Sequence, residues 1–356
     1  PYLALAAAGG GGLCSQGTQM PFPQNQNVSF LGQQNLSGDQ RALFMDLFAG
    51  EVITQFEQKN LMMDKHRVKT IKNGRSYEFP MVGTTGAKYH VPGEMIQADK
   101  LAHSKRRVTI DELLISPVFI DRLDEAMNHF DVRSIYTKEC ANALSNVADR
   151  NILRTAVKAS FITTEAAATA AGLNPVLGET FTNNVTLGAA GDELKGDALV
   201  RALFKAREEF DKKDVTGEPF VILRPEQYYS LFNTTDTSKL FYMNKDVGGV
   251  GSIATATIPM VAGMKVYMSN HLPNTNESTA LAGDPESAVR PGAYRGDFSK
   301  VVGLVMTEEA IATVKLFDLA TEMEYQIERQ GTLIVAKYAM GHNILRPACA
   351  ISILKV

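Results

Sequence analysis

The apolar positions of the chain change period several times, and the longest helical run lies between Asp131 and Phe161. Tyr136, Cys140, Leu144 and Val147 follow one another at spacings of three or four, and Leu153, Val157 and Phe161 resume the series. The back carries Lys138, Glu139, Asn142, Asp149 and Arg150, so the stretch reads as an amphipathic helix. No Gly or Pro occurs between Val118 and Ala171 to break it, and Asp131 is placed to cap it. At about 1.5 Å per residue it would make a rod of roughly 45 Å. The stripe slips at Arg150 and Asn151, which marks a place where the rod would bend if its surroundings changed shape.

Around this rod the pattern alternates between helix and strand. Leu43, Phe44, Leu47, Phe48, Val52 and Phe56 share a helical face within 40–57. Val68, Thr70 and Lys72 then precede Asn73-Gly74, a strong hairpin signal, and Tyr77 and Phe79 alternate after it. A polar, Gly-containing tip with Lys88 and Tyr89 follows, and Lys105, Arg106 and Arg107 lead the chain back. Ile115 to Phe130 reads as a short helix begun by Pro117. Residues 162–192 read as an irregular loop, and Asp197 as the cap of a helix through Lys213. Short strands are expected at Pro219–Leu223, Met264–Met268, Val301–Met306, Ala312–Phe317, Leu333–Val335 and Ile351–Leu354. Between Thr321 and Glu328, Met323, Tyr325 and Ile327 alternate with acidic and amide residues, as in a half-buried strand whose apolar side would lie over the long helix.

Composition adds few constraints. With 356 residues, 45% hydrophobic and 21% charged, the chain can build a large core. A net charge of −3 argues against a dedicated nucleic-acid binder. Cys14, Cys140 and Cys349 show neither a disulfide framework nor zinc spacing and suit a reduced, cytosolic compartment. Residues 1–38 are rich in Gly, Gln, Asn and Ser and read as an arm without a core of its own. They lack the basic lead of a signal peptide, and no apolar run is long enough to span a membrane.

The search for chemistry finds no catalytic constellation. Gly248, Gly249 and Gly251 resemble a phosphate loop only superficially, since neither the Lys-Ser/Thr ending nor a following helix is present. The six histidines form no HExxH motif or close pair, and His129 and His342 read as satisfied helix-end or core histidines. No metal, cofactor or catalytic residue is therefore expected. What the pattern leaves is a mixed helix-and-sheet body with projections that cannot bury themselves, namely an arm, a long hairpin and a Gly-rich loop. Such projections imply self-association.

Several segments carry a resemblance to a known family. Ala126 to Thr137 (AMNHFDVRSIYT) is similar to the entry of the spine helix in the major capsid proteins of T-seven-like short-tailed phages. Ala336 to His342 (AKYAMGH) with Leu345-Arg346-Pro347 resembles their C-terminal signature. Asp39 to Phe56 and Val108 to Leu114 also look like their counterparts, so the likeness runs from about Asp39 to Val356. The resemblance implies the α+β, HK-ninety-seven-type capsid fold. In that frame residues 1–65 are an N-terminal arm with a helix at 40–57, and 66–112 are the extended E-loop hairpin. Residues 113–190 form the peripheral (P) domain with its spine at 131–161, and 191–300 the axial (A) domain. Residues 301–340 return to the P-domain sheet, and 341–356 finish in the A domain.

The implied function is an icosahedral head shell around packaged double-stranded DNA, with an encapsulin-like compartment shell as the alternative on the same fold. The implied partners are copies of the chain in hexamers and pentamers, a scaffolding protein, a portal, decoration proteins, and DNA touched non-specifically from inside. No membrane is implied, and the location is the virion, assembled in the host bacterial cytoplasm. Inter-subunit contact is expected at Tyr77, Phe79, Lys88, Tyr89, Lys105, Arg106, Arg107, Gly248, Gly249 and Gly251. Some relatives of the fold crosslink a hairpin Lys to a neighbour's Asn; Lys88 is placed for this, but no acceptor or catalytic carboxylate is identified.

Overall fold

A computed structural model describes residues 61–93, 95, 96, 98, 100–127, 132–176, 178–232, 260–278 and 294–356. The expected helix at 40–57, the capping role of Asp131, His129 and the glycines Gly248, Gly249 and Gly251 lie outside the described residues.

Among the described residues, two sheets and one long helix make the body. A four-stranded sheet has the order β1-β10-β11-β4, with β1 at Arg67–Thr70, β4 at Leu114–Asp121, β10 at Ile311–Gln326 and β11 at Gly331–Ile344. A six-stranded sheet has the order β5-β12-β9-β6-β8-β7. Its strands are β5 (Val185–Thr186), β6 (Phe220–Leu223), β7 (Met260–Val261), β8 (Met264–Met268), β9 (Val301–Met306) and β12 (Ala350–Leu354). A separate antiparallel pair, β2 (Ser76–Val82) and β3 (His103–Thr109), projects as an arm.

The six-stranded sheet is covered on both faces, which is why β6 (FVIL) and β9 (VVGLVM) are buried at every position. Phe220, Ile222, Leu304 and Met306 turn toward the helix α2 (Val132–Ser160). Val221, Leu223, Val305 and Ile351 turn toward α4 (Gly196–Lys212), which presents Leu199, Leu203, Ala206 and Phe210. Among the described residues the other α-helices are short: α1 (Arg122–Met127), α3 (Glu165–Ala170, capped by Thr164) and α5 (Pro225–Ser230).

Helix α2 is continuous for 29 residues, and its two halves have different surroundings. The first half is amphipathic as expected: Cys140, Leu144 and Ala148 pack on Ala336, Tyr338 and Met340 of β11. Beyond Asp149 the helix is buried on nearly every side, with Ile152, Leu153, Ala156, Val157 and Ala159 all in the main core. The slip at Arg150 and Asn151 thus marks entry into the core. Asn151 itself is buried, and its side-chain oxygen accepts from Arg154 Nη1 at 3.1 Å.

Several expectations are corrected. Asn73-Gly74 does not join two paired strands: β1 runs parallel to β10, and β2 leaves to pair with β3. The turn remains, with Gly74 at φ +111°. Leu114–Asp121 is a strand, not a helix begun by Pro117. It is an edge strand, where a missing N–H is tolerated, and its β-branched and aromatic residues favour extension. Helix α4 begins one residue before Asp197, where Gly196 lies so close to the Ser230 carbonyl that a Cβ would meet it at 2.6 Å. Asp197 sits in the first turn instead, favourably for the helix dipole. Strand β9, expected with the 301–340 block in the P-domain sheet, pairs with β6 and β12 in the six-stranded sheet. Finally, Met323, Tyr325 and Ile327 do not cover the long helix. Ile334 and Thr332 of β11, opposite Met323 and Tyr325, are buried, whereas Met323 is 58% and Ile327 74% exposed, because α2 crosses β11 and β4 and leaves the far end of β10 bare.

Asp149, assigned by periodicity to the polar back of the helix, is fully buried. Its Oδ1 accepts from the backbone of Met62 at 2.8 Å and Leu61 at 3.2 Å, and its Oδ2 meets His271 Nδ1 at 2.7 Å. A second buried chain runs nearby. His66 Nδ1 lies 2.7 Å from the Met62 carbonyl, which can only accept, so that nitrogen carries the proton. His66 Nε2 then accepts from the Thr313 hydroxyl at 2.5 Å, and the Thr313 oxygen accepts from His342 Nδ1 at 2.8 Å.

Burial holds the His66 imidazole below its ordinary value of 6.5. At neutral pH both folded and unfolded chains carry it uncharged. As pH falls below about 6.5, the unfolded chain takes up a proton that the folded one resists, so stability declines toward the lowered folded value at up to about 1.4 kcal/mol per pH unit. Thermal unfolding followed from pH 7.5 to pH 5 is expected to show this loss, and His66→Gln to flatten it; an unchanged slope in the variant would assign the loss to other groups.

Candidate functional site

The projecting arm is the strongest candidate for contact with other molecules. Its strands pair with Tyr77 opposite Val108, Glu78 opposite Arg107, Phe79 opposite Arg106 and Pro80 opposite Lys105. Alternation gives the arm an inner and an outer face. The inner face is held by its own body: Phe79, Val108 and Ile110 pack with Ala312, Val314, Ala339 and Leu345, and Tyr77 and Met81 lie against the same cluster. Tyr77 meets Phe79 edge to face at 4.9 Å. The root is fixed by Asp111 N donating to the Met340 carbonyl at 3.1 Å and by Asn343 Nδ2 donating to the Arg107 carbonyl at 2.8 Å.

The three consecutive basic residues separate by face. Arg106 points inward, 1% exposed, and its Nη2 reaches both oxygens of Glu179 at 2.5 and 2.6 Å. Lys105 and Arg107 point outward and converge on Glu78 at 2.6 Å each. Hydrogen bonds from Lys105 and then Arg107 hold the Glu78 carboxyl below its usual range. Pairs this exposed are screened by water and add little, so the outer face is a solvated strip with one net positive charge.

Beyond Val82 and His103 the arm carries its apolar side chains into solvent. Lys88 and Tyr89 are exposed, Tyr89 fully, with Met95 at 88% and Ile96 at 79%. Of the expected contact residues, Lys88, Tyr89, Lys105 and Arg107 are therefore accessible, whereas Phe79 and Arg106 are taken up within the chain and Tyr77 is half-buried. Sequence reading passed over Met95 and Ile96, although adjacent apolar residues in a Gly- and polar-rich tip are themselves a signal.

A second apolar surface lies at the far end of β10, where Met323, Tyr325 and Ile327 are exposed and Arg122, at the start of α1, places its guanidinium 5.8 Å from the Tyr325 ring. Among the described residues, no group of three His, Cys, Asp or Glu is arranged to hold a metal ion, and no helix is long and apolar enough to cross a membrane.

This combination of a long buried helix, two sheets and an extended arm has clear relatives. Residues 78–354 match the family described as Gp10A-like major capsid protein. The chain belongs to that family. It is 32% identical to the major capsid protein of Escherichia phage T7 over 324 residues, which span 88% of this chain and 92% of that one. The capsid structure of cyanophage P-SCSP1u superposes with a TM-score of 0.74 at 32% identity, covering 94% of this chain and 99% of that one. The mature capsid of bacteriophage PhiM1 shares the fold at a TM-score of 0.70 and 16% identity, over 87% of this chain and 91% of that one. The protein is thus a structural component of a phage head shell, built from copies of itself, and not an enzyme. These relatives are phage heads, so the compartment-shell alternative is not favoured.

Proposed function

We propose that this capsid protein builds its shell through hexamers and pentamers in which the β2–β3 arm of each subunit lies across a neighbour. The observation that carries this reading is the exposed apolar tip on an arm whose root is packed into its own body. A rigid root gives direction, and Tyr89, Met95 and Ile96 gain burial only against a second surface. In this reading the four-stranded sheet with α2 is the P domain. The six-stranded sheet with α4 is the A domain, its interior strands β9 and β12 contributed by the later part of the chain. A scaffolding protein, a portal, decoration proteins and packaged double-stranded DNA are the further partners, with assembly in the host bacterial cytoplasm. The modest net charge fits a lining that does not hold DNA tightly.

The test is co-expression with a scaffolding protein and electron microscopy of the products. The wild-type chain is expected to give closed shells. A triple variant, Tyr89→Ser, Met95→Ser and Ile96→Ser, is expected to keep subunit stability within about 0.5 kcal/mol, as exposed substitutions do, and to give none. Closed shells of normal size from that variant would overturn the role of the tip.

A further inference from the structure

The arm is tied to its own subunit at a second place, away from its root. The stretch after α3 that carries Asn174, Val176, Gly178 and Glu179 lies along the inner side of the arm. Glu179 grips Arg106 of β3 with both oxygens, and its Oε2 also accepts from the Val176 backbone at 3.0 Å. Two residues back on β3, Ser104 Oγ donates to the Asn174 carbonyl at 2.8 Å. Gly178, at φ +82°, comes so close to Thr84 that a Cβ there would collide with the Thr84 hydroxyl. Three contacts therefore line one side of the arm, at residues 84, 104 and 106.

The ion pair at the centre is unusual in its chemistry. Arg106 is almost fully buried, yet only its Nη2 is bonded, and Nε and Nη1 have no hydrogen-bond partner. An apolar pair of similar volume would fill this space at little cost or with a gain, so stability alone does not account for a buried charge held from one end. One guanidinium nitrogen held between two carboxylate oxygens, with the Ser104–Asn174 bond two residues away, constrains the arm's direction as a non-directional apolar contact does not. We propose that Arg106 and Glu179 form a clasp that sets the direction in which the arm leaves the body, and with it the curvature at which subunits join. Arg106 and Glu179 are positioning residues here, acting through the arm's tip. This inference rests on the arm being an inter-subunit element.

The test separates direction from stability. The double variant Arg106→Met with Glu179→Met keeps the volume and removes the charge, and Gly178→Ala presses the clasping stretch away from Thr84 without touching the ion pair. The double variant is expected to melt near the wild-type temperature as an isolated subunit, and Gly178→Ala below it, because a side chain at φ +82° is strained. In both, amide hydrogen exchange at Met81, Gly83 and Ser104, whose N–H groups point across the β2–β3 ladder, is expected to quicken by about tenfold, and co-expression with scaffold to give shells of altered size or open sheets. Glu179→Gln, which leaves the buried cation facing a neutral amide, is expected to show the same exchange change with a lowered melting temperature.

Wild-type exchange together with wild-type shell size in the double variant would overturn the clasp, leaving the pair a buried contact only. If the wild-type chain itself forms no shell with scaffold, the shell reading fails and the exchange measurement alone decides whether the clasp holds the arm.

Discussion

Replacing Asp149 by alanine is expected to cost about 3–5 kcal/mol, a large part of the 5–15 kcal/mol by which a domain is usually stable. Three partners lose their acceptor together: the backbone N–H groups of Leu61 and Met62, and the ring of His271. All lie in or beside the main core, so water cannot readily replace the carboxylate, and each unsatisfied donor bears its desolvation penalty. Asp149→Asn should cost less, because its oxygen can still accept from the two backbone groups. Urea unfolding of the isolated subunit measures both variants. An alanine variant with the wild-type midpoint would show that the three donors find other partners. Because Asp149 joins α2 to residues 61 and 62 and to the turn after β8, exchange protection should fall in all three segments together.

Gly341→Ala is the second large effect. At this point β11 passes beneath the returning arm, and a Cβ would collide with the Thr109 carbonyl and lie 2.8 Å from Ile110 Cα. Both neighbours are backbone, so no side chain can swing aside. Forcing them apart is expected to cost about 3 kcal/mol, at the upper end of overpacking effects, and to loosen the Asp111–Met340 bond at the root. Gly86→Ala is the control: its Cβ would meet nothing within 4 Å, and its effect should stay within about 0.5 kcal/mol. A Gly341→Ala subunit that melts with the wild type and assembles normally would refute the close approach.

These two positions also show what a sequence can and cannot disclose. Gly341 lies inside the family-like run from Ala336 to His342, but no local pattern reveals which strand crosses it. Asp149 looked solvent-facing because the preceding stripe, Tyr136 to Val147, has a clear polar back. The signal to read was the crowd of apolar residues on either side, Ala148 and then Ile152 and Leu153. A helix apolar all round is buried, and a carboxylate within it must be partnered. Long-period features were legible: α2, the all-apolar strands β6 and β9, and the arm with its exposed tip. Assignments that depend on where a neighbour ends were not. Ile115–Phe130 reads as one helix from the sequence because nothing local marks its first half as a sheet edge. Met323 and Tyr325 alternate as a half-buried strand should, yet the helix that would cover them passes over other strands. Among the contact residues, the bare sequence did not divide Arg106 from Lys105 and Arg107; a one-residue alternation against a partner strand does so.

The order of strands in the larger sheet has a consequence for timing during synthesis. Strand β9 lies between β6 and β12, and β12 in turn separates β9 from β5. A ribosome that has made β5 and β6 has made neither of the strands that join them, and the sheet stays open until residues 350–354 emerge. Such distant pairing is intrinsically slow, and until it completes, the apolar faces of β6 and α4 stay uncovered. A nascent chain lacking β12 therefore lacks an interior strand and should be captured by chaperones or proteases. Chains broken off before that point would then be removed before they could enter a growing particle.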